Sequence, residues 1–129
     1  MSVAFVLGNG LSRKPIPLEP LKQHGKVYAC NAVYRTFTPD YLVAVDAKMI
    51  NEICTADAHR RMPVWTNPNR AYKKWNGLNF FEPSLGWSSG PTALYLATQK
   101  EHQLIYILGF DFIGNQDGKL NNIYGDTPN

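Results

Sequence analysis

The chain has 129 residues, of which 44% are hydrophobic, and this size and composition predict one globular domain with a substantial core. A formal net charge of +3 is too small to indicate nucleic-acid binding by itself and suits an anionic small ligand equally well. The two cysteines have neither a CxxC spacing nor a histidine cluster, which argues against a zinc site. Their spacing leaves a disulfide open but gives no signal of a disulfide framework, so we expect reduced thiols. The sequence has no apolar run of membrane-spanning length and no secretory signal pattern, so we expect a cytoplasmic protein.

Apolar runs and helix signals alternate along the chain. Four continuous apolar runs predict buried strands at 3–7, 27–30, 41–45 and 104–108, and weaker strands are predicted at 63–65 and 78–81. A short helix is predicted over 47–55, and a longer one from Ser88 or Ser89 to near His102, with Pro91 in its first turn. This alternation predicts an α/β fold: a single Rossmann-like domain with a mostly parallel sheet and helices on both faces.

The segment from Gly114 onward is polar and is predicted to be a loop. The sequence stops at Thr127-Pro128-Asn129, which is untypical of a structural end. We therefore expect one domain over residues 1–129, in which 114–129 is either a truncated lid or a mobile tail.

Small and polar residues follow the predicted strands at the points where the strands end. In an open parallel sheet, ligands bind beyond the carboxyl ends of the strands at a topological switch point. Backbone N–H groups suit a phosphate, short polar side chains suit a sugar, and a carboxylate suits a ribose hydroxyl, so the pattern predicts a nucleotide site. The candidate site residues are Gly8, Asn9, Gly10, Asn31, Asp46, Ser88, Ser89, Gly90, Gly109 and Asp111.

Each of these residues also has a purely structural interpretation, which the sequence leaves open. The two glycines after the first strand suit a left-handed turn. The other structural roles are a backbone-bonded turn for Asn31, helix caps for Asp46 and for Ser88 or Ser89, and a turn for Asp111.

Two common nucleotide motifs are excluded. The dinucleotide fingerprint G-x-G-x-x-G fails because Arg13 stands at its third glycine, and the second strand ends in Asn31 rather than in an acid. No Walker A motif is present. Arg13 and Lys14, just after the glycine loop, are candidates for attracting a phosphate, with ordinary surface charge as the alternative.

Four short motifs occur in order along the chain: LGNGLS, YACNAVY, WSSGPTALYLA and ILGFDF. Together they resemble the small bacterial sialyltransferases of glycosyltransferase family forty-two. That family carries a GNGPS-type loop, a CN-type strand end, a T/S-S-G helix start and a G-[IF]-D-F strand end. More distantly, the chain resembles archaeal hydroxymethylpterin diphosphokinase and flagellin-glycosylation proteins, which share the glycine loop and a PDY-type third strand, here Pro39-Asp40-Tyr41. The likeness covers Val3 to about Phe112.

The resemblance implies a domain that binds a cytidine monophosphate (CMP) sugar of the sialic-acid type and transfers the sugar to an acceptor glycan without a metal ion. It implies that Asn9 and Asn31 lie beside the donor phosphate and sugar. It also implies that five residues lie beside the nucleotide: Ser88, Ser89, Gly90, Gly109 and Asp111. The transfer would be a direct displacement, with stabilisation of the leaving phosphate as the main contribution of the protein.

The chain departs from the family in the residues that would perform the chemistry. The family's general base is a histidine in a later lid segment, whereas His24, His59 and His102 all precede the last motif. His59 lies among polar residues and is predicted to be on a solvated surface. Ile113 stands where the family has a lid tyrosine, and Tyr124 is the remaining tyrosine in the tail. The donor-binding half therefore resembles the family, and the catalytic residues are unknown.

Three functions remain open from the sequence. The leading one is a sialyltransferase-like domain that binds a CMP-sugar donor and is either active or catalytically incomplete. A second is a magnesium-dependent pterin-type diphosphokinase, in which Asp46 and Asp111 would be metal-side carboxylates. A third is a non-enzymatic nucleotide-binding or interaction domain. The sequence also leaves open whether the chain forms a homo-oligomer.

Overall fold

The computed structural model describes residues 2–111, 121–125 and 127. In this part of the chain, the strands are β1 (Val3–Leu7), β2 (Lys26–Cys30), β3 (Tyr41–Val43), β4 (Val64–Thr66), β5 (Asn79–Phe80) and β6 (Leu104–Leu108). The α-helices are α1 (Ala47–Thr55) and α2 (Ser89–Thr98), and the connections contain short 3-10 turns. None of the helices in the described residues is long and apolar enough to cross a membrane. The predicted α/β fold is confirmed.

The strands form one parallel sheet in the order β5-β4-β3-β2-β1-β6. The chain proceeds outward from β1 to β5 and then returns across the sheet to place β6 on the other side of β1. Val3 of β1 lies opposite Leu104 of β6, and Leu7 lies opposite Leu108. The topological switch point therefore lies between β1 and β6, where two glycine-containing loops leave the sheet.

Two hydrophobic cores pack against the two faces of the sheet. On one face, α1 packs Ile50 and Ile53 against sheet residues that include Leu7, Val27 and Leu42. On the other face, α2 packs Ala93, Leu96 and Ala97 against a second set, which includes Val6, Tyr28 and Val43. Alternate residues of each central strand thus enter opposite cores, which explains why these strands are continuously apolar in the sequence.

β6 is an edge strand in the described part of the sheet. The prediction that Leu104–Leu108 forms a strand is confirmed, but the expectation that it is buried on both faces is wrong. Leu104, Tyr106 and Ile107 are 38%, 49% and 48% exposed. The physical reason is that α1 and α2 pack on the central strands. The longer helix also differs from its prediction, because α2 ends at Thr98 rather than near His102.

Candidate functional site

A cleft of about 310 Å³ opens at the carboxyl edge of the sheet, at the switch point between β1 and β6. The loops after β1, β2 and β6 and the first turn of α2 line this cleft. The structure brings nine of the ten predicted site residues together there: Gly8, Asn9, Gly10, Asn31, Ser88, Ser89, Gly90, Gly109 and Asp111. The rule that ligand-binding residues follow the ends of parallel strands therefore selected residues that are neighbours in space.

Asp46 is the predicted site residue that does not line this cleft. It is the N-cap of α1, where its carboxylate accepts a hydrogen bond from the backbone N–H of Lys48 at 3.4 Å. The structural interpretation of Asp46 as a helix cap therefore accounts for its position after β3.

Gly8 and Gly10 hold the loops after β1 and β6 in close contact. The N–H of Gly8 donates to the carbonyl of Leu108 at 2.7 Å, and the N–H of Gly10 donates to the carbonyl of Gly109 at 2.8 Å. A Cβ atom at Gly8 would lie 2.5 Å from the carbonyl oxygen of Gly109, and one at Gly10 would lie 2.6 Å from it. The left-handed-turn interpretation is wrong, because the positive φ belongs to Gly109 and to neither of these residues. The two glycines are needed for the approach of the two backbones.

Several backbone N–H groups of the glycine loop are bonded within the described structure. Besides the two glycine amides, the N–H of Leu11 donates to Asn121 Oδ1 at 2.8 Å. The N–H of Ser12 donates to Asp111 Oδ2 at 2.9 Å. Most donors of this loop are therefore already bonded to the segments after β6.

Arg13 is buried behind the glycine loop. It is only 4% exposed, and its guanidinium donates to the carbonyl of Gly8 at 2.8 Å and to Asn9 Oδ1 at 2.9 Å. Asn9 in turn donates through Nδ2 to the carbonyl of Cys30 at 3.1 Å, which ties the ends of β1 and β2 together. The surface-charge interpretation of Arg13 is wrong. Within the described residues, no carboxylate lies within salt-bridge distance of Arg13, so its positive charge contributes to the electrostatic potential of the cleft.

Asp111 is the acidic side chain among the described residues that line the cleft. Its carboxylate accepts hydrogen bonds from both the hydroxyl and the backbone N–H of Ser12. These bonds, the hydroxyl bond first and then the backbone bond, hold the pKa of the Asp111 carboxyl below its ordinary value. Asp111 is therefore an ionised acceptor at neutral pH, with its orientation fixed by the turn after β1.

The first turn of α2 faces the cleft without a capping side chain. Ser88 is the N-cap, and its side chain makes no capping hydrogen bond with the described residues. The hydroxyl of Ser89 is instead used to accept from the N–H of Val45 at 3.1 Å, and Pro91 has no N–H. The backbone N–H groups of Ser89 and Gly90 therefore lie at the positive end of the helix dipole beside the cleft.

Asn31 lies on the β2 side of the cleft in a conformation that is unusual for a residue other than glycine. Its φ is 55°, in the left-handed region, and its Oδ1 is buried with no hydrogen-bond partner among the described residues. A strained backbone and an unsatisfied buried polar atom are both uncommon, and both concentrate at functional sites. The predicted turn bonded to its own backbone is not formed by this oxygen in the described structure.

Cys30 also lines this cleft. Burial raises the pKa of the Cys30 thiol to about 12, against a smaller opposing effect of Arg13. Cys30 is therefore a neutral thiol at physiological pH.

All three histidines of the chain lie at the amino ends of the strands, away from the cleft. His24 precedes β2, and His102 precedes β6, where it contacts the hydroxyl of Tyr28 at 2.7 Å. His59 lies between α1 and β4, is 7% exposed and packs against Trp75 at a ring-centroid distance of 6.2 Å. The predicted solvated position of His59 is wrong, because a single histidine among polar residues carries no signal of burial.

Within the residues that the structure describes, no group of three or more His, Cys, Asp or Glu side chains is placed to hold a metal ion. Comparisons of the chain with protein-family models, with curated proteins and with solved structures find no match. Ile113 and most of the polar tail 114–129 lie outside the described residues, so the expectations for them stay predictions.

Proposed function

We propose that this chain binds a nucleotide sugar of the CMP-sialic-acid type in the cleft between β1 and β6, as a glycosyltransferase-like domain. The observation that carries the proposal is the presence, in one cleft at the switch point, of a helix start without a side-chain cap and a buried side-chain oxygen without a partner among the described residues. These groups are the uncapped first turn of α2 and the buried Oδ1 of Asn31.

The first turn of α2 suits the phosphate of such a donor. An anion at this position would accept from the N–H groups of Ser89 and Gly90 and interact favourably with the helix dipole. Arg13 adds a buried positive charge behind the neighbouring loop. These features also suit the leaving phosphate of a transfer reaction, because they favour a group whose negative charge increases in the transition state.

Asn31 and Asp111 suit the hydroxyl groups of the ligand. The buried Oδ1 of Asn31 can accept from a hydroxyl, and accepting one would satisfy an atom that lacks a partner in the described structure. The ionised Asp111 carboxylate can accept from a ribose hydroxyl in addition to its bonds from Ser12. A nucleotide sugar offers both a phosphate and several hydroxyl groups, which matches this set of partners.

A second candidate function is a non-enzymatic nucleotide-binding domain, and the position of the histidines favours it. His24, His59 and His102 all lie at the opposite end of the sheet, so none of them can deprotonate an acceptor in this cleft. The diphosphokinase alternative has less support, because Asp111 lines the cleft whereas Asp46 caps α1.

The experiment is calorimetric titration with CMP and cytidine diphosphate without metal, and with ATP and magnesium. It compares the wild type with Asn31→Gly, which keeps the positive φ and removes only the amide. Asp57→Gly is the matched control, because Asp57 also has a positive φ of 58° and lies after α1. We expect metal-free CMP binding that Asn31→Gly weakens by about 1–3 kcal/mol, as for a lost buried hydrogen bond, and that Asp57→Gly leaves unchanged.

Two results would contradict the proposal. One is the absence of cytidine nucleotide binding together with magnesium-dependent ATP binding, which would favour the diphosphokinase. The other is CMP binding that both glycine variants leave equally unchanged, which would locate the site elsewhere. Release of CMP from a CMP-sugar by the wild type would then distinguish an active transferase-like domain from the non-enzymatic alternative.

A further inference from the structure

A segment near the carboxyl terminus crosses the carboxyl edge of the sheet beside the cleft. We call the described residues 121–125 and 127 the strap. The N–H of Ile123 donates to the carbonyl of Asn9 at 2.8 Å, and Tyr124 packs against the core on the α1 face. At its far end, the guanidinium of Arg35 donates to the hydroxyl of Thr127 at 3.0 Å. The strap therefore spans from the loop after β1 to the turn after β2.

The first residue of the strap enters the cleft and bonds to a backbone N–H there. Asn121 lines the cleft, and its Oδ1 accepts from the N–H of Leu11 at 2.8 Å. Asp111 lines the same part of the cleft, and the nearby Asn121 side chain contributes to the lowered pKa of the Asp111 carboxyl, after the two bonds from Ser12.

Asn121 thus occupies a group that a nucleotide sugar would use at this point. Its oxygen accepts from a backbone N–H that a phosphate or sugar oxygen could use, and its side chain lines the cleft together with the carboxylate that a ribose hydroxyl could use. A ligand that accepts from the N–H of Leu11 must displace the amide of Asn121, since this N–H has a single hydrogen to donate.

We infer that the strap is an autoinhibitory element, in which Asn121 occupies part of the nucleotide-sugar site and must leave when the ligand binds. This inference rests on the proposed function. The attachment of the strap suits reversible release, because its contacts in the described structure include polar bonds at partly exposed positions and one half-buried ring. A ligand that competes with the strap binds only the molecules in which the strap is open. Its apparent affinity is therefore the intrinsic affinity multiplied by the fraction of open molecules.

The test compares CMP binding by the wild type, by Asn121→Ala and by Asn51→Ala. Asn51 is exposed on α1, so Asn51→Ala is the same chemical change away from the cleft. We expect Asn121→Ala to bind CMP at least threefold more tightly than the wild type, and Asn51→Ala to bind like the wild type. Thermal unfolding of each variant checks that it is folded.

The other outcomes separate the inference from the proposed function. Unchanged or weaker CMP binding by Asn121→Ala would overturn the inference and leave the proposed function standing. Absence of CMP binding by all three proteins would overturn both. CMP binding by Asn121→Ala alone would support both, because the strap would then close the wild-type site almost completely.

Amide hydrogen exchange measures the same element without any assay of activity. The amide of Ile123 is protected by its bond to Asn9. We expect its exchange to become faster when CMP binds the wild type, and also in ligand-free Asn121→Ala. Slower exchange of Ile123 on CMP binding would show that the strap closes over the ligand, which contradicts autoinhibition.

Discussion

Gly8 has no room for a side chain, because its missing Cβ points at the backbone of Gly109. We expect Gly8→Ala to destabilise the protein by about 1–3 kcal/mol, as overpacking of a tight contact does. Gly90→Ala is the control, because its Cβ would meet only the side chain of Phe110, at 3.3 Å, and alanine suits a helix. Urea unfolding of both variants measures the difference, and equal stability would show that the loops separate without cost.

The contacts of individual residues explain which part of the site could be predicted from sequence. The positions of the site residues could be predicted, because the end of a parallel strand is a local feature. Their bonding could not, because the partners of Leu11 and Ser12 are Asn121 and Asp111, which lie 110 and 99 residues away along the chain. The burial of Arg13 depends on the same folded-back segments, and a single arginine in a sequence gives no sign of it.

The two helices begin in different ways, and each beginning allows a prediction. α1 has a carboxylate cap from Asp46, whereas the start of α2 has no side-chain cap within the described residues. We expect Ser88→Asp to stabilise the fold by about 0.3–1 kcal/mol through the helix dipole. The same substitution should weaken CMP binding, because the new carboxylate would occupy the position of the phosphate. Urea unfolding and calorimetry on one preparation measure both effects.

Asp46→Ala, at the start of α1, should lower the stability of the fold and leave CMP binding unchanged. Removal of the cap should destabilise the protein by about 0.5–2 kcal/mol. CMP affinity should stay unchanged, because Asp46 does not line the cleft. Loss of CMP binding in Asp46→Ala at a temperature where the variant is folded would show that the ligand extends to the end of β3, which would restore Asp46 to the site.

At the scale of the whole molecule, the apolar runs predict the parallel sheet, but they do not predict which strands the helices cover. Continuous apolar strands separated by helices indicate a parallel sheet, and the chain forms one. The order of the strands depends on the connection between β5 and β6, which crosses the sheet to the other side of β1. No local sequence pattern indicates which connection crosses the sheet. β6 is as apolar in sequence as β2, yet it is largely exposed because α1 and α2 cover other strands. Exposure of a strand is therefore a property of the assembled layers.

The stability of the whole molecule should decrease in alkaline solution. Burial raises the pKa of Cys30 to about 12 and that of Cys54 to about 11, from an ordinary value of 9.0. Burial, followed by the hydrogen bond to Glu52, also raises the pKa of Tyr34 to about 12. A raised folded-state pKa means that the folded state holds its proton more tightly than the unfolded state. The stabilisation is complete below the unfolded pKa and is lost as the pH rises towards the folded pKa.

We therefore expect the free energy of unfolding to fall from pH 9 upward, by on the order of 6 kcal/mol by pH 11, since each pH unit between the unfolded and folded pKa values of a group costs about 1.4 kcal/mol. Urea unfolding at pH 7, 9, 10 and 11 measures this decrease. In a Cys30→Ala, Cys54→Ala double variant, compared with its own stability at pH 7, the decrease should begin about one pH unit later, because tyrosine ionises near pH 10 when unfolded. If the double variant lost stability from pH 9 as steeply as the wild type, the buried thiols would not be the groups responsible.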